Sequence, residues 1–167
     1  MKISEIDHFI FDFDGVLTDN RVFVGEGLGS EFVVCNRADG LAFDAIRKLD
    51  INCFIVSTDK SLASKSRAKK LGIKAYNNVQ NKGDFLEKLS KNKEIDLQHS
   101  FYVGNDINDL ESINLCKFSA CPSDSQSEVK KSCSFILKTK GGKGVVREIL
   151  EDIFKLNLAK ILYEQKN

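Results

Sequence analysis

Two aspartates, Asp12 and Asp14, stand immediately after a largely apolar run near the start of the chain. The run, residues 8–11, is typical of a buried parallel strand. Side chains alternate along a strand, so both carboxylates can point to one side while Phe13 points away. Gly15 then allows a sharp turn and a close backbone approach. Two acidic groups at the end of a central strand repel each other and favour binding of a hard cation such as Mg²⁺. The alternative explanation of the two aspartates is an ordinary Asp-rich turn without a bound ion.

Further polar residues follow later strands in the sequence or begin helices. Ligands of open α/β sheets bind beyond the carboxyl ends of the strands, so we expect these residues to lie close to the two aspartates. Together they would supply a nucleophile, a proton carrier, a hydroxyl donor, a fixed cation and metal ligands, as phosphoryl transfer requires. Each also has an ordinary explanation alone, as a helix cap, a solvated lysine or an Asp-rich loop. They are Ser57, Lys82, Asn105, Asp106 and Asp109.

Apolar periodicity predicts strands and helices that alternate along most of the chain. Such alternation indicates an α/β fold of three layers, Rossmann-like, with a mostly parallel sheet and helices on both of its faces. The predicted strands are 8–11, 52–56, 73–76, 100–103, 118–121 and 134–137. The predicted helices are 41–49, about 60–71, 84–90, 107–115, a helix end at 128–131, 145–154 and a tail at 156–163.

A β-hairpin is predicted to protrude after the first strand. Its strands, 20–24 and 31–35, flank a glycine-rich tip, residues 25–30. The glycines do not form the G-x-G-x-x-G pattern and no helix follows directly, so a dinucleotide loop is not expected. After the hairpin, Asp39 is a candidate N-cap of the helix that is predicted to begin at residue 41.

Size and composition restrict the classes of function. The 167 residues fit one domain, and a formal net charge of +1 gives no field that would attract nucleic acid or a membrane surface. No apolar run approaches the roughly 18 residues of a membrane span, and the first residues lack the apolar core of a signal peptide. The five cysteines are odd in number and lack C-x-x-C spacing, which indicates free thiols in a reducing cytosol. We therefore expect a cytoplasmic protein that binds neither nucleic acid nor membranes.

The polar residues at the strand ends match four motifs in order, namely residues 12–15, residues 55–57, Lys82 and residues 104–109. At these positions the chain resembles the haloacid dehalogenase (HAD) superfamily of aspartate-nucleophile phosphatases, and the resemblance covers nearly the whole chain. Within it, the chain is most similar to a small cap-less group that acts on 3-deoxy-2-keto sugar acid phosphates. That group includes 3-deoxy-manno-octulosonate 8-phosphate phosphatases and the phosphatase-like domains of N-acylneuraminate cytidylyltransferases, the latter being the more similar.

The resemblance implies a role for each motif residue. Asp12 would attack phosphorus and become an aspartyl phosphate, and Asp14 would protonate the leaving group and then activate water. Ser57 and Lys82 would bind the transferring oxygens. Mg²⁺ is the implied cofactor, and its implied ligands are Asp12, Asp14, Asn105 and Asp106, with Asp109 in support.

The chain departs from the family at position 105, where the usual residue is Asp and this sequence has Asn. An amide oxygen can bind Mg²⁺ without contributing charge, which predicts weaker metal binding unless Asp106 or Asp109 supplies the anion. The neuraminate-linked group resembles this chain in having Asn. The substitution is therefore either tolerated or a mark of a domain that has lost turnover.

The resemblance also extends to residues around the site. Arg37 could pair with a substrate carboxylate through two nitrogens, or could lie on the surface beside Asp39. The segment 141–144 could bring main-chain N–H groups or Lys143 to the substrate, or could be a flexible turn between a strand and a helix. The implied substrate-binding residues are Arg37, Asp39, Gly40, Thr58 and Lys143.

No inserted segment is large enough to form a lid, so we predict one HAD-like domain over residues 1–167 without a cap. A neighbouring subunit could close the open site and cover the exposed hairpin edge. Because the similar proteins assemble as tetramers through this hairpin, we predict a homotetramer.

Three functions compete. The first is a Mg²⁺-dependent phosphatase for a phosphorylated sugar acid, either octulosonate 8-phosphate or a sialic-acid-like 9-phosphate. The second is a low-activity phosphatase-like oligomerisation module associated with N-acylneuraminate cytidylyltransferase. A response-regulator receiver is the third and fits poorly, because its phosphoacceptor follows the third strand.

Overall fold

A six-stranded sheet forms the centre of the protein in the computed structural model, which describes residues 1–26 and 31–164. The strands of the chain are β1 (His8–Phe11), β2 (Thr18–Val24), β3 (Glu31–Cys35), β4 (Asn52–Val56), β5 (Lys74–Tyr76), β6 (Ser100–Val103), β7 (Phe118–Cys121) and β8 (Phe135–Ile136). The sheet has the order β5-β4-β1-β6-β7-β8, and every neighbouring pair in it is parallel. β2 and β3 pair with each other outside it.

Helices cover both faces of the sheet. They are α1 (Ala38–Lys48), α2 (Ala63–Leu71), α3 (Lys82–Lys91), α4 (Leu110–Leu115), α5 (Ser127–Ser132), α6 (Val145–Glu148), which continues into a π-helical turn (Ile149–Ile153), and α7 (Leu158–Tyr163). One apolar core contains Phe9 and Phe11 of β1 with side chains of α1, α2, α6 and α7. The other contains Ile10 with side chains of α3, α4 and α5. Alternation along β1 thus supplies two cores, and the predicted three-layer α/β fold is confirmed.

The register of the sheet brings three strand ends together. Phe11, the last residue of β1, pairs with Ile55 on β4 and with Val103 on β6. The N–H of Asp12 continues the ladder by donating to the main-chain oxygen of Val103 (2.8 Å). Because these parallel strands end at the same edge, the residues that follow them lie side by side.

Local hydrogen bonds move several helix boundaries from their predicted positions. α3 begins at Lys82 rather than at residue 84, because Asn81 caps it by accepting from the N–H of Asp84 (3.0 Å). α2 begins at Ala63 rather than near residue 60. Further differences include a 3-10 turn (Ile107–Asp109) before α4, a two-residue β8, and a helix predicted at 145–154 that is divided between α6 and the π-helical turn.

Asp39 is not the N-cap of α1, so that prediction is wrong. The helix begins at Ala38, whose N–H donates to the side-chain oxygen of Asn36 (2.8 Å). Asp39 lies inside the first turn and is 2% exposed. Its Oδ1 accepts a hydrogen bond from the N–H of Val146 at the start of α6 (2.9 Å). The carboxylate therefore ties α1 to α6 and caps the later helix instead of its own.

The predicted hairpin is present as β2 and β3. Val22 pairs with Val33, and Phe23 pairs with Phe32. Both phenylalanines face outward, at 57% and 64% exposure. Of the predicted glycine-rich tip, residues 27–30 lie outside the described part of the chain.

Two other predictions concern membranes and cysteines. None of the helices described is long and apolar enough to cross a bilayer. All five cysteines are free thiols, as their odd number and spacing predicted.

Candidate active site

The turn after β1 directs Asp12 and Asp14 into the same cleft. The main-chain oxygen of Phe13 accepts hydrogen bonds from the N–H groups of residues 16–18 (3.3, 2.9 and 3.1 Å). Gly15 has φ +82°, a left-handed conformation that glycine adopts without strain. Both carboxylates line a cavity of about 350 Å³. Its other lining residues are Asn20, Ser57, Thr58, Asn105, Asp106, Ile107 and Asn108.

Lys82 is the buried cation of the site. Its side chain is fully buried at the start of α3, and Nζ donates to Oδ1 of Asp12 (2.6 Å) and to Oδ1 of Asp109 (2.7 Å). Burial alone would lower the pKa of Lys82, but the two carboxylates outweigh it and raise that pKa. The ammonium therefore stays charged, and these contacts use two of its three donors.

Both aspartates of the turn have raised pKa values. Burial is the main cause for Asp12, with the charge of Asp109 adding to it and Lys82 opposing it. Burial also raises the pKa of Asp14, with Asp59 adding to the shift and Lys82 opposing it. The contact with Lys82 stabilises the carboxylate form of Asp12, as a nucleophile needs. A raised pKa favours the protonated form of Asp14, as a group that donates a proton needs.

Asp109 is saturated with hydrogen bonds and does not line the cavity. Its Oδ1 also accepts from the hydroxyl of Tyr102 (2.6 Å). Its Oδ2 accepts from the N–H groups of Asn105 (2.9 Å) and Asp106 (3.2 Å). Because both oxygens are engaged and the side chain is fully buried, Asp109 orders the loop and Lys82 and is not available to a metal.

Asn105 contributes to a set of oxygens that fits a divalent cation. One terminal atom of its amide lies 3.1 Å from Oδ2 of Asp12 and 2.8 Å from the main-chain oxygen of Asp14. Adjacent ligands of an octahedral Mg²⁺ at 2.0–2.1 Å are about 2.9 Å apart, so these separations match edges of that octahedron if the amide oxygen faces the ion. With the amide turned over, its N–H₂ group would donate to both oxygens instead.

The charge of this oxygen set is low. Within the described ranges, no group of three His, Cys, Asp or Glu side chains could hold a metal ion. The set therefore depends on one carboxylate, one main-chain carbonyl and one amide. Asp106 is a third carboxylate in the cavity, beside Asp12 and Asp14, and its Oδ1 accepts a hydrogen bond from the N–H of Ile107 (2.7 Å).

Ser57 and Thr58 follow β4 at the edge beside Asp12. Ser57 is 2% exposed, and its Oγ accepts from the N–H of Asp59 (3.1 Å), which leaves the hydroxyl proton for another acceptor. Thr58 lies in the same cavity, where its Oγ1 accepts from the side-chain amide of Asn108 (3.4 Å). A hydroxyl donor thus stands close to both aspartates of the turn.

The other four residues predicted to bind substrate do not line this cavity. Arg37 is exposed at the N-cap position of α1, and Gly40 has no atom within 4 Å of the place a Cβ would occupy. Asp39 is buried against α6, so a structural hydrogen bond takes the place of its predicted contact with substrate. Lys143 is exposed, and its Nζ lies 3.9 Å from Oδ2 of Asp19.

Glycines at three positions allow backbone segments to meet at the turn. A Cβ on Gly15 would lie 2.1 Å from Nδ2 of Asn105 and would displace that amide. A Cβ on Gly141 would lie 2.2 Å from the main-chain oxygen of Gly15, and one on Gly142 would lie 2.4 Å from the main-chain carbon of Thr18. Gly141 and Gly142 therefore pack directly against the turn that follows β1. The sequence analysis considered segment 141–144 as a substrate-binding segment or as a flexible turn, and neither interpretation included this contact.

Four residues of the site were not predicted. Asn20 lines the cavity from β2, and Ile107 and Asn108 line it from the 3-10 turn before α4. Apolar periodicity predicts such elements but does not show which of their residues face a cavity. Tyr102 lies within the predicted strand 100–103, to which we assigned no site residue. A buried phenol needs a hydrogen-bond partner, and that requirement was the available signal.

Fold and site together define a class of protein. The sheet holds one carboxylate against a buried ammonium, and it places a second carboxylate, a hydroxyl donor and a metal-compatible set of oxygens around the same cavity. These are the groups needed to attack phosphorus, protonate a leaving oxygen and neutralise the transferring oxygens. The class is a hydrolase of phosphate esters that is built on a parallel α/β sheet.

Comparison with known proteins identifies the family. A profile of the haloacid dehalogenase-like hydrolases matches residues 43–149, and the chain belongs to this family. The 3-deoxy-D-manno-octulosonate 8-phosphate phosphatase of Haemophilus influenzae is 30% identical over 92% of this chain and 86% of its own length. The corresponding phosphatase of Moraxella catarrhalis, crystallised with magnesium, phosphate and KDO, has a TM-score of 0.85 at 29% identity, covering 92% of this chain and 88% of that one. The predicted resemblance is confirmed, and the chain is a phosphoric monoester hydrolase.

A relative of a second kind shares only part of its length with this chain. The N-acylneuraminate cytidylyltransferase of Oncorhynchus mykiss is 27% identical over 85% of this chain but only 34% of its own length. The similarity to that enzyme is therefore confined to about a third of it.

Proposed function

We propose that the chain hydrolyses the phosphomonoester of a 3-deoxy-2-keto sugar acid through an aspartyl phosphate on Asp12, with Mg²⁺ as its cofactor. The observation that carries the proposal is the contact of Asp12 with the buried ammonium of Lys82 (2.6 Å), in a site that also holds Asp14 and Ser57. Octulosonate 8-phosphate is the favoured substrate, because phosphatases of that name match this chain over most of both lengths. A sialic-acid-like 9-phosphate is the alternative of the same class.

The residues of the cavity divide the reaction between them. Asp12 attacks phosphorus while Asp14 gives its proton to the sugar oxygen, so the new O–P bond forms as the sugar–phosphate bond breaks. Lys82 and Ser57 donate hydrogen bonds to the transferring oxygens. Asp14, now a carboxylate, takes a proton from the water that attacks phosphorus and releases Asp12 and inorganic phosphate.

The proposed metal ligands are Asp12, the main-chain oxygen of Asp14 and Asn105, with Asp106 as a further carboxylate in the cavity. A bound divalent cation would offset the negative charge of the phosphoryl group and of the attacking carboxylate. Because the amide at 105 is neutral, we expect weaker Mg²⁺ binding than a carboxylate there would give.

Phosphate release from a panel of sugar acid phosphates, measured with Mg²⁺, tests the proposal. Asp12→Asn should lower kcat by about a thousandfold or more, because a carboxamide cannot form the acyl phosphate. Asp50→Asn is the matched control. Asp50 precedes β4 at the opposite end of the sheet and has φ +59°, a conformation that Asn tolerates, so this variant should retain full activity. An Asp12→Asn protein that still turns over would refute the mechanism.

The second candidate function is a low-activity module for oligomerisation in sugar-acid activation. It is favoured by the neutral residue at 105 and by the partial match to a cytidylyltransferase. Asn105→Asp separates the two candidates. For the phosphatase, the variant should bind Mg²⁺ about tenfold more tightly while kcat changes little. A large gain in kcat from a wild-type rate near zero would favour the module instead.

We propose that the chain is one domain without a cap and assembles as a homotetramer through the β2–β3 hairpin. The support is the apolar surface of the hairpin, where Val22, Phe23, Val24 and Phe32 are each at least half exposed. A second copy of the same hairpin would cover this surface and its open edge. Light scattering should give a tetramer for the wild type and a monomer for Phe23→Ser combined with Phe32→Ser. A wild-type chain that is monomeric and fully active would contradict the proposal.

A further inference from the structure

Tyr102 is a buried polar side chain that the proposed reaction does not use. It lies in β6, one strand away from the end of β1, and is 0% exposed. Its hydroxyl donates to Oδ1 of Asp109 at 2.6 Å. Burial and the charge of Asp109 raise the pKa of Tyr102 well above its ordinary value, so the phenol remains a donor.

Asp109 is the point through which this hydroxyl reaches the reacting groups. Oδ1 of Asp109 is shared by the Tyr102 hydroxyl and by Nζ of Lys82, at 2.6 and 2.7 Å. The same Nζ lies 2.6 Å from Oδ1 of Asp12. Nζ of Lys82 thus contacts one oxygen of each of two carboxylates. Of these two oxygens, only Oδ1 of Asp109 accepts a second hydrogen bond, which comes from the Tyr102 hydroxyl.

We propose that Tyr102 is a positioning residue for the phosphatase reaction: by donating to Asp109, its hydroxyl limits how strongly that carboxylate attracts Lys82, and so keeps the ammonium against Asp12. The inference rests on the proposed function of Lys82 and Asp12. Without the hydroxyl, Oδ1 of Asp109 would have Lys82 as its one partner, and a buried carboxylate draws in its remaining donor to compensate. Asp12 and the transferring oxygens would then lose part of the same positive charge.

A purely structural role for Tyr102 makes a different prediction. The hydroxyl would then stabilise the fold by satisfying a buried carboxylate, and its loss would lower the free energy of unfolding without changing turnover by the folded enzyme. The value of kcat per folded molecule distinguishes the two roles. In Tyr102→Phe the phenyl ring still fills the core, so only the loss of the hydroxyl can change kcat. Tyr102 is fully buried and does not line the cavity, so KM should not change under either role.

The test compares Tyr102→Phe with Tyr76→Phe in the full-length chain. Tyr76 is the matched control, since it is a half-buried tyrosine of β5 that packs against Phe54 and Phe85 away from the cavity. We expect Tyr102→Phe to lower kcat about tenfold with KM within twofold of wild type, and Tyr76→Phe to leave both within twofold. The folded fraction of each protein is measured at the assay temperature. The proposal is overturned if Tyr102→Phe retains kcat within twofold, if the two variants lose the same factor, or if Tyr102→Phe does not fold.

A double-mutant cycle tests the route through Asp109. In an Asp109→Asn background, Tyr102→Phe should change kcat by less than twofold, because the carboxylate that the hydroxyl acts on is already absent. A full tenfold loss in that background would overturn the proposed route.

A crystal structure of Tyr102→Phe keeps the inference separate from the proposed function. We expect Nζ of Lys82 to move beyond hydrogen-bond distance of Asp12, about 3.2 Å or more. An unchanged Lys82–Asp12 contact would overturn the positioning role. If the wild-type chain released no phosphate from any substrate, the proposed function would fail, and this displacement would still decide the role of Tyr102.

Discussion

The centre of the site and its rim are built in opposite ways. At the centre, Lys82 contacts two carboxylates, and Asp109 accepts four hydrogen bonds with no exposed surface. At the rim, Arg37 is exposed, and the Nζ of Lys143 lies 3.9 Å from its nearest carboxylate partner. The reacting groups are therefore ordered before substrate arrives, whereas the charged groups of the rim are exposed to solvent.

The difference has a direct consequence for substitutions. Removing a central group leaves a buried charge without its partner, so stability and activity should fall together. Removing a rim group leaves solvated neighbours, so binding alone should change. Three predictions test this division, in order of decreasing effect, at a group of the centre, at a buried carboxylate outside the centre and at a group of the rim.

Lys82→Met should have the largest effect, because it leaves Asp12 and Asp109 buried without a cation. We expect the free energy of unfolding to fall by about 3 kcal/mol or more, as when one partner of a buried ion pair is removed. We also expect kcat to fall by about a hundredfold or more, because the transferring oxygens lose a fixed charge. Urea unfolding and phosphate release measure the two losses.

Lys88→Met is the control for this prediction, since Lys88 is an exposed lysine of the same helix. Its effect on the free energy of unfolding should stay within about 0.5 kcal/mol. Equal losses in the two variants would show that α3 is sensitive to any change, and the contrast between centre and rim would lose its support.

The centre was also the part that the sequence could predict. Asp12 and Asp14 follow an apolar run whose end is set by local alternation, and Ser57 follows a second such run. Parallel pairing then brings these ends together without further information. Lys82 was predicted at a helix start, although its contacts with Asp12 and Asp109 join segments that no local pattern brings together.

Contacts between distant segments outside the centre could not be predicted in the same way. Asp39 was expected to cap α1 and contact substrate, but its partner is Val146, which is distant in the sequence. The contact of Gly141 with Gly15 also joins distant segments. Such contacts depend on how loops pass each other after the sheet has formed, and a motif gives the residues of a loop without its path.

The second-largest effect should come from Asp39, as a dependence of the free energy of unfolding on pH. Burial raises its pKa to about 6 from the model-peptide value of 3.8, and the N–H of Val146 opposes the rise. The folded state therefore binds this proton more tightly than the unfolded state, so the contribution of Asp39 is fully present below about pH 4 and is lost as the pH rises through about 6. The loss should amount to about 2–3 kcal/mol.

Asp39→Asn removes this titration while an amide oxygen can still accept from Val146. Urea unfolding at several pH values should show the variant gaining about 2–3 kcal/mol relative to wild type between pH 4 and pH 7. Asp44→Asn, at a half-exposed aspartate of the same helix, should show no such trend. Parallel curves for Asp39→Asn and wild type would mean that the buried carboxylate remains ionised throughout.

Lys143→Ala should give the smallest effect and sets the limit of the comparison. The Lys143 side chain is 55% exposed and its Nζ lies 3.9 Å from Oδ2 of Asp19, so the pair contributes little to stability. The free energy of unfolding should therefore change by less than about 0.5 kcal/mol. If Lys143 contacts the sugar acid, KM should rise about threefold with kcat unchanged. The contact would be lost equally from the substrate complex and from the transition state, and such a loss weakens binding without slowing the chemical step. Lys140→Ala, an exposed lysine three residues earlier, should change neither constant. A loss of kcat in Lys143→Ala would place that ammonium among the groups that act on the transferring phosphoryl group. Lys143 would then belong to the centre of the site and not to its exposed rim.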